Sequence, residues 1–427
     1  MSAEPAAGLS PVRRNLANGP VVIAKAAMTI PSVTINAACR AGLMHEPSET
    51  PGLAHLLAQT IDLGTTGRST EAIADTLDGR GVSLSASVGR HDLTLTCTCL
   101  AEDFDEILDL VVDVLRRPSF PDEEVRRRRA EIVTALGQDA DNTAVQSVER
   151  LLELLYGPGH PYGRRVKGSI ESIERIDRNA LSAFHRRAVT PPGLSLVIVG
   201  AVDPERAGDR AAELLEDWRG AAAPESPLPP TSVPPGRRRV VRPMMNKSQA
   251  DIAYGFATVR RPDPAFYACH VMNTILGQFG LGGRLGDNIR ERQGMAYYVY
   301  STLDAAFVEA PLIIRAGVDG ANVDRAIEAV DEELSAIRRT GVTAEELKDT
   351  TRYLVGAMPR MLETNAGIAT FLQAAQTFGL GLDHDRRLPG LIQAVTLEAI
   401  HDAAERLDPA RATVVVAGPY EDRVAAS

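Results

Sequence analysis

The sequence predicts an α+β protein built twice, each copy a mostly antiparallel sheet with helices packed on it. Three observations carry this. Phe104, Ile107, Leu108, Val111 and Leu115 form one apolar helix face, and Val323, Ala326, Ile327, Val330 and Leu334 repeat that spacing 219 residues later. Each half closes on a buried strand, SLVIVG at Ser195–Gly200 and TVVVAG at Thr413–Gly418. Between the halves lies GAAAPESPLPPTSVPPG, whose prolines sustain neither a helix nor a central strand.

The expected organisation is therefore a domain over 1–219, a linker over 220–236 and a second domain over 237–427. Each apolar helix runs through a short loop into an acidic helix start, PDEEV at Pro121–Val125 and TAEEL at Thr343–Leu347. The order of strand, helix, hairpin strands, paired helices and strand is not a nucleotide-binding βαβ series.

Composition narrows the function classes. A net charge of −10 disfavours general nucleic-acid binding, and the basic runs Arg126–Arg129 and Arg237–Arg239 read as solvated element ends. No apolar run approaches the ~18 residues of a membrane span, so no membrane insertion is expected. The N-terminal MSAEPAAGLSPVRRNLANG lacks the apolar core of a secretory signal. Cys39, Cys97, Cys99 and Cys269 have neither disulfide nor zinc-ribbon spacing and read as small buried residues. A reduced, cytoplasmic setting follows as the expectation.

The stretch PGLAHLLAQTIDLGT, Pro51–Thr65, predicts a helix with Thr50 as N-cap and Pro51 in the first position. Leu53, Leu56, Leu57, Thr60 and Ile61 form its core stripe, and Gly64 ends it. His55 and Gln59 stand one turn apart on a different face. Two histidines at that spacing chelate zinc, with a carboxylate between them to activate water. Here the chain offers one imidazole and one amide.

A second informative stretch is LGQFGLGGRLGDNIRERQGMAYYVYS, Leu276–Ser301. Its glycines do not give G-x-G-x-x-G, and Met272, Ile275 and Leu276 before them have helical spacing where a nucleotide fingerprint requires a strand. Arg290 and Tyr297, seven residues apart across Gly294, could face one another or could simply pair with Glu291 or Asp287 and pack on a sheet.

Pro51–Thr65 resembles the signature of the M16 metallopeptidases, the pitrilysin, insulinase and mitochondrial processing peptidase group. That signature is the inverted zinc motif H-x-x-E-H followed by an apolar segment and Gly-Thr. The likeness continues through RGVSLSASVGRHDLTLTC, GPGHPYGRRVKGSIESI and the duplicated architecture. It implies the M16 (LuxS/processing-peptidase-like) metallohydrolase fold. His55 matches the first zinc ligand, Ala58 stands at the general base and Gln59 at the second ligand. The downstream third ligand, a Glu in the family, falls on Ala135, with Glu131 and Asp139 one turn to either side.

The resemblance extends to the second half, where Gly282, Gly283, Arg284, Leu285, Arg290, Gly294 and Tyr297 match a family element, with Ile289 and Met295 as substitutes for leucines. In active relatives the Arg and Tyr contact substrate and steady the tetrahedral intermediate at the zinc of the opposite half. The implied role is a subunit without a metal of its own that lends Arg290 and Tyr297 to a partner. That partner would be a zinc-containing M16 chain with intact H-x-x-E-H, and the substrate a peptide. A scaffold role like that of M16-like respiratory core subunits, and a homodimeric peptidase with atypical ligands around His55, are the alternatives.

Overall fold

The computed structural model describes residues 8–157, 159–223, 228–229, 231 and 235–421. Much of the expected linker over 220–236 lies outside the described residues. Eleven strands form two sheets among the described residues: β1 (Val12–Asn15), β2 (Val21–Ala26), β3 (Ser32–Cys39), β4 (Ser85–Val88), β5 (Leu93–Leu100), β6 (Leu194–Gly200), β7 (Arg238–Pro243), β8 (Ala250–Ala257), β9 (Ala296–Leu303), β10 (Pro311–Val318) and β11 (Thr413–Gly418). Their orders are β1-β2-β6-β3-β5-β4 and β7-β11-β8-β10-β9.

Apart from the added β1, the two orders are the same. Each holds one parallel pair, β2 with β6 and β7 with β11, and is otherwise antiparallel. Duplication and the mostly antiparallel sheet are thus both present as expected. The two repeated helix faces fall on Phe104–Arg116 and Val323–Thr340, with every residue of both stripes buried.

Compactness does not follow the halves 1–219 and 237–427. The first unit comprises Met1–Leu136, Arg165–Pro227 and Met358–Arg386; the second comprises Gly137–Arg164, Leu228–Ala357 and Arg387–Ser427. Each sheet has an apolar second face that its own half leaves bare. In the first unit Ile368, Ala369 and Leu372 of the helix Asn365–Thr377 cover Ile23, Val197 and Val199. Each buried Ile or Leu there contributes about 1.5–3 kcal/mol. In the second unit the helix Thr143–Tyr156 lies on β8 and β11, with Leu151 filling the space over Gly255. Sequence order cannot show such an exchange, because an apolar helix face does not specify which sheet it covers.

Candidate functional site

Two regions hold the residues that the sequence singles out, one in each unit.

In the first unit the His55 helix spans Leu53–Thr60, starting two residues later than expected and ending short of Gly64. Thr50 is not its cap; the Thr50 hydroxyl is buried without a hydrogen-bond partner among the described residues. The N-cap position is Gly52, in the left-handed region at φ 91°, where an added Cβ would meet the Lys167 carbonyl oxygen at 2.7 Å. The free amides are taken by Glu46 instead. Its buried carboxylate accepts from Gly52 N–H at 3.3 Å and Ala54 N–H at 2.6 Å. A carboxylate at a helix N-terminus satisfies orphan donors and opposes the positive end of the dipole. Glu46 precedes the helix by several residues, too far for the usual capping pattern to reveal it.

Leu53, Leu56, Leu57, Thr60 and Ile61 are all buried, as the stripe predicts. Ala58 is buried as well, while His55 and Gln59 are half-exposed on the other face. The helix packs beside β4, a four-residue edge strand whose only sheet neighbour among the described residues is β5. Ala135 is half-buried on the helix Asp122–Ala140, and Glu131, one turn earlier, is exposed and paired with Arg128 at 2.8 Å.

The family's zinc does not fit these donors. A catalytic zinc takes three protein ligands and an open water position. The motif positions here supply one imidazole, one neutral amide and a methyl group. Among the described residues no group of three or more His, Cys, Asp or Glu is placed to hold a metal.

The Gly-Thr that follows the helix has a structural duty. Gly64 has φ 106°, and the Thr65 hydroxyl donates to buried Asp113 at 2.7 Å. Arg68 reaches Asp113 and Asp109, each at 2.6 Å, and Arg117 reaches Asp113 at 2.7 Å. Burial pushes the Asp113 carboxyl up, but the Thr65 and Arg68 hydrogen bonds and the Arg117 charge outweigh it and hold it below the usual range.

In the second unit the glycine-rich stretch is a closely packed corner. The helix Phe266–Asn273 widens into a π-helical turn, Thr274–Gln278, and a second π-helical segment spans Gly286–Arg292. An added Cβ on Gly283 would lie 3.0 Å from Gly277 Cα, and one on Gly286 would lie 2.9 Å from Leu281 Cα. The glycines thus serve backbone contact, consistent with the missing phosphate-loop pattern. Arg284 holds Glu346 through two hydrogen bonds of 2.7 and 2.8 Å, and this hydrogen bonding lowers the Glu346 carboxyl to about 2.

Arg290 is exposed, with the Glu291 carboxylate 3.9 Å away, while Asp287 pairs with Arg292 at 2.6 Å. Gly294, at φ 62°, then reverses the chain, its N–H donating to the Arg290 carbonyl at 3.1 Å. The chain enters β9 at Ala296, and Tyr297 stands 65% exposed. Among the described residues no hydrogen bond joins the Arg290 and Tyr297 side chains; what they share is the corner formed by the segment Gly286–Arg292 against β9. In β9 the pairing with β10 shifts: Ala296 lies opposite Val318 and Tyr298 opposite Gly317, so Tyr297 is the extra residue of a β-bulge. Nothing in the sequence pattern marks that bulge.

Comparison with known proteins agrees with the fold and the duplication. Residues 21–161 match the model "Insulinase (Peptidase family M16)" and residues 175–354 match "Peptidase M16 inactive domain". This chain belongs to the M16 peptidase family. A Mycobacterium tuberculosis chain named an uncharacterized zinc protease is 26% identical over 426 residues, covering 98% of this chain and 95% of its own length. A Helicobacter pylori chain named a non-peptidase homolog is 25% identical over 381 residues, covering 87% and 85%. The crystal structure of a peptidase M16 inactive domain from Pseudomonas fluorescens superposes with a TM-score of 0.89 at 24% identity, covering 96% of this chain and 98% of that one. No helix among the described residues is long and apolar enough to cross a membrane.

Proposed function

We propose that this chain is the zinc-free subunit of a heterodimeric M16 peptidase. It forms half of a peptide chamber and supplies Arg290 and Tyr297 to the zinc site of a partner with intact H-x-x-E-H. The observation that carries this reading is a contrast within the chain. The His55 helix keeps its frame but lacks the base and the second ligand, while Tyr297 stands on a bulge, exposed, beside the Arg290 corner.

A guanidinium can hold a peptide carbonyl or carboxylate, and a phenol can donate to a developing oxyanion. The open edge of β4 is suited to pairing with an extended peptide. The relatives support a family in which chains of this kind divide between peptidase and non-peptidase members, since one is named a zinc protease and another a non-peptidase homolog. All four cysteines are buried thiols, in keeping with the cytoplasmic setting expected for the pair.

The test is reconstitution with an M16 chain from the same genome that carries the full zinc motif. The mixture cleaves peptides and neither chain does so alone. Tyr297→Phe lowers kcat of the mixture on the order of 10²-fold, the effect of removing one oxyanion donor, without preventing assembly. Assembly with an unchanged rate leaves a scaffold. Stoichiometric zinc in the purified chain, lost together with peptidase activity on His55→Ala, overturns the proposal.

A further inference from the structure

The bulge at Tyr297 has a cause in the next row of the sheet. Asp251 on β8 lies opposite Gly317 on β10, and Gly317 lies opposite Tyr298 on β9, so the three share one face. One whole strand, β10, separates Asp251 from Tyr298, yet the Tyr298 hydroxyl donates to Asp251. The ring crosses the gap left by glycine: a Cβ on Gly317 would lie 2.6 Å from Tyr298 Cε1. An aromatic ring laid over a strand glycine restores the packing that the glycine lacks.

Asp251 is itself held. It is 2% exposed, and it accepts from the Thr143 hydroxyl and, at 3.3 Å, from Gln249 Nε2. Thr143 opens the helix Thr143–Tyr156, which covers this face, and Gln146, one turn on, meets the same row by accepting from Arg242. A buried carboxylate beside a helix N-terminus is stabilised there by the dipole. Without a bulge, the register that starts from Ala296 opposite Val318 would place Tyr297 opposite Gly317. The hydrogen bond to Asp251 selects Tyr298 for that place, and Tyr297 becomes the residue that the ladder leaves out.

We infer that Asp251 is a positioning residue for Tyr297: through Tyr298, laid across Gly317, it holds the β9 bulge that turns the Tyr297 phenol outward. The use of that phenol rests on the function proposed above; its placement does not. Asp251 touches no reacting group and acts only through Tyr298.

The test is ¹⁹F NMR of the full chain with 3-fluorotyrosine incorporated, the Tyr297 resonance being assigned by its loss in Tyr297→Phe. The parent gives one Tyr297 resonance. Tyr298→Phe, and separately Asp251→Leu, splits or broadens it as β9 samples both registers, whereas Asp251→Asn, which keeps an acceptor for the hydroxyl, restores the single line. Tyr254→Phe is the control. It also loses a tyrosine–aspartate hydrogen bond in this sheet, to Asp331 at 2.8 Å, but lies outside the row and leaves the Tyr297 line unmoved. An unchanged Tyr297 resonance in folded Tyr298→Phe overturns the inference. So does an equal perturbation by Tyr254→Phe, which would mark general loosening of the sheet. If the bulge responds as expected while Tyr297→Phe leaves the reconstituted rate unaltered, the proposed function fails and the positioning stands.

Discussion

The last strand of each sheet is the same element used in two ways. In the first unit β4 is four residues long, small and regular, with Ser85 and Ser87 opposite Thr96 and Thr94. It stops short of the row where Thr34 and Thr98 join by a 2.8 Å hydroxyl hydrogen bond. In the second unit β9 is eight residues long, carries Tyr297, Tyr298 and Tyr300, and reaches the row of Asp251 and Gly317, where it bulges. Beside β4 lies a helix with an eroded metal motif; beside β9 lies the π-helical corner that carries Arg290. The comparison teaches that the two copies have diverged at their edges while keeping their cores. One edge is short and plain, and the other is bulged with a tyrosine exposed on it.

The largest effect is expected from filling the gap in the second edge. Gly317→Val places a branched side chain where the Tyr298 ring lies, costing about 3 kcal/mol by overpacking. Denaturant unfolding measures it, and a cost under about 1 kcal/mol would show that the row tolerates a side chain and does not dictate the bulge.

In the first unit, Glu46→Ala strips the cap from the His55 helix and leaves two amides without their acceptor. It is expected to cost about 2 kcal/mol, toward the upper end for capping residues because the carboxylate is buried. A loss no larger than that of an exposed carboxylate would mean that the helix is held by its leucine stripe alone.

Next comes acid. The Glu346 carboxyl is lowered to about 2 by Arg284, so its pairing stabilises the fold above the unfolded carboxylate range and is lost as pH falls from about 4.5 through 2. The pair is partly exposed, and solvent screening leaves it on the order of 1 kcal/mol. Glu346→Gln should therefore lower stability at pH 7 and flatten its acid dependence in that window. An unaltered pH profile would remove Arg284 from the account of the corner.

Tyr297→Phe closes the series. An exposed phenol without a hydrogen-bond partner among the described residues contributes little to folding, so the change in stability is expected within about 0.5 kcal/mol. A larger loss would mean that Tyr297 belongs to the packing of β9 and is not displayed for use.

Legibility differed between the two regions for a physical reason. The His55 helix was readable because its stripe, its outward residues and its lost motif all follow the 3.6-residue period. Its cap was not, because Glu46 reaches back from the preceding loop. Arg290, Gly294 and Tyr297 could be picked out by resemblance, and the reversal at Gly294 by its glycine. The bulge could not, since it depends on Asp251 and Gly317, which lie 47 and 19 positions from Tyr298 in the chain.

By itself the sequence determined the duplication, the two core stripes, the closing strands and the loss of the base and of two of the three zinc ligands at the motif positions. All of these are local patterns or residue identities, set by side-chain period and chemistry. Only the tertiary structure decided which half covers which sheet, and which tyrosine of the Tyr297–Tyr298 pair turns outward. Both choices are made by partners remote in the chain, the exchanged helices and the Asp251–Gly317 row, whose burial and hydrogen bonding exist only once the sheets have formed.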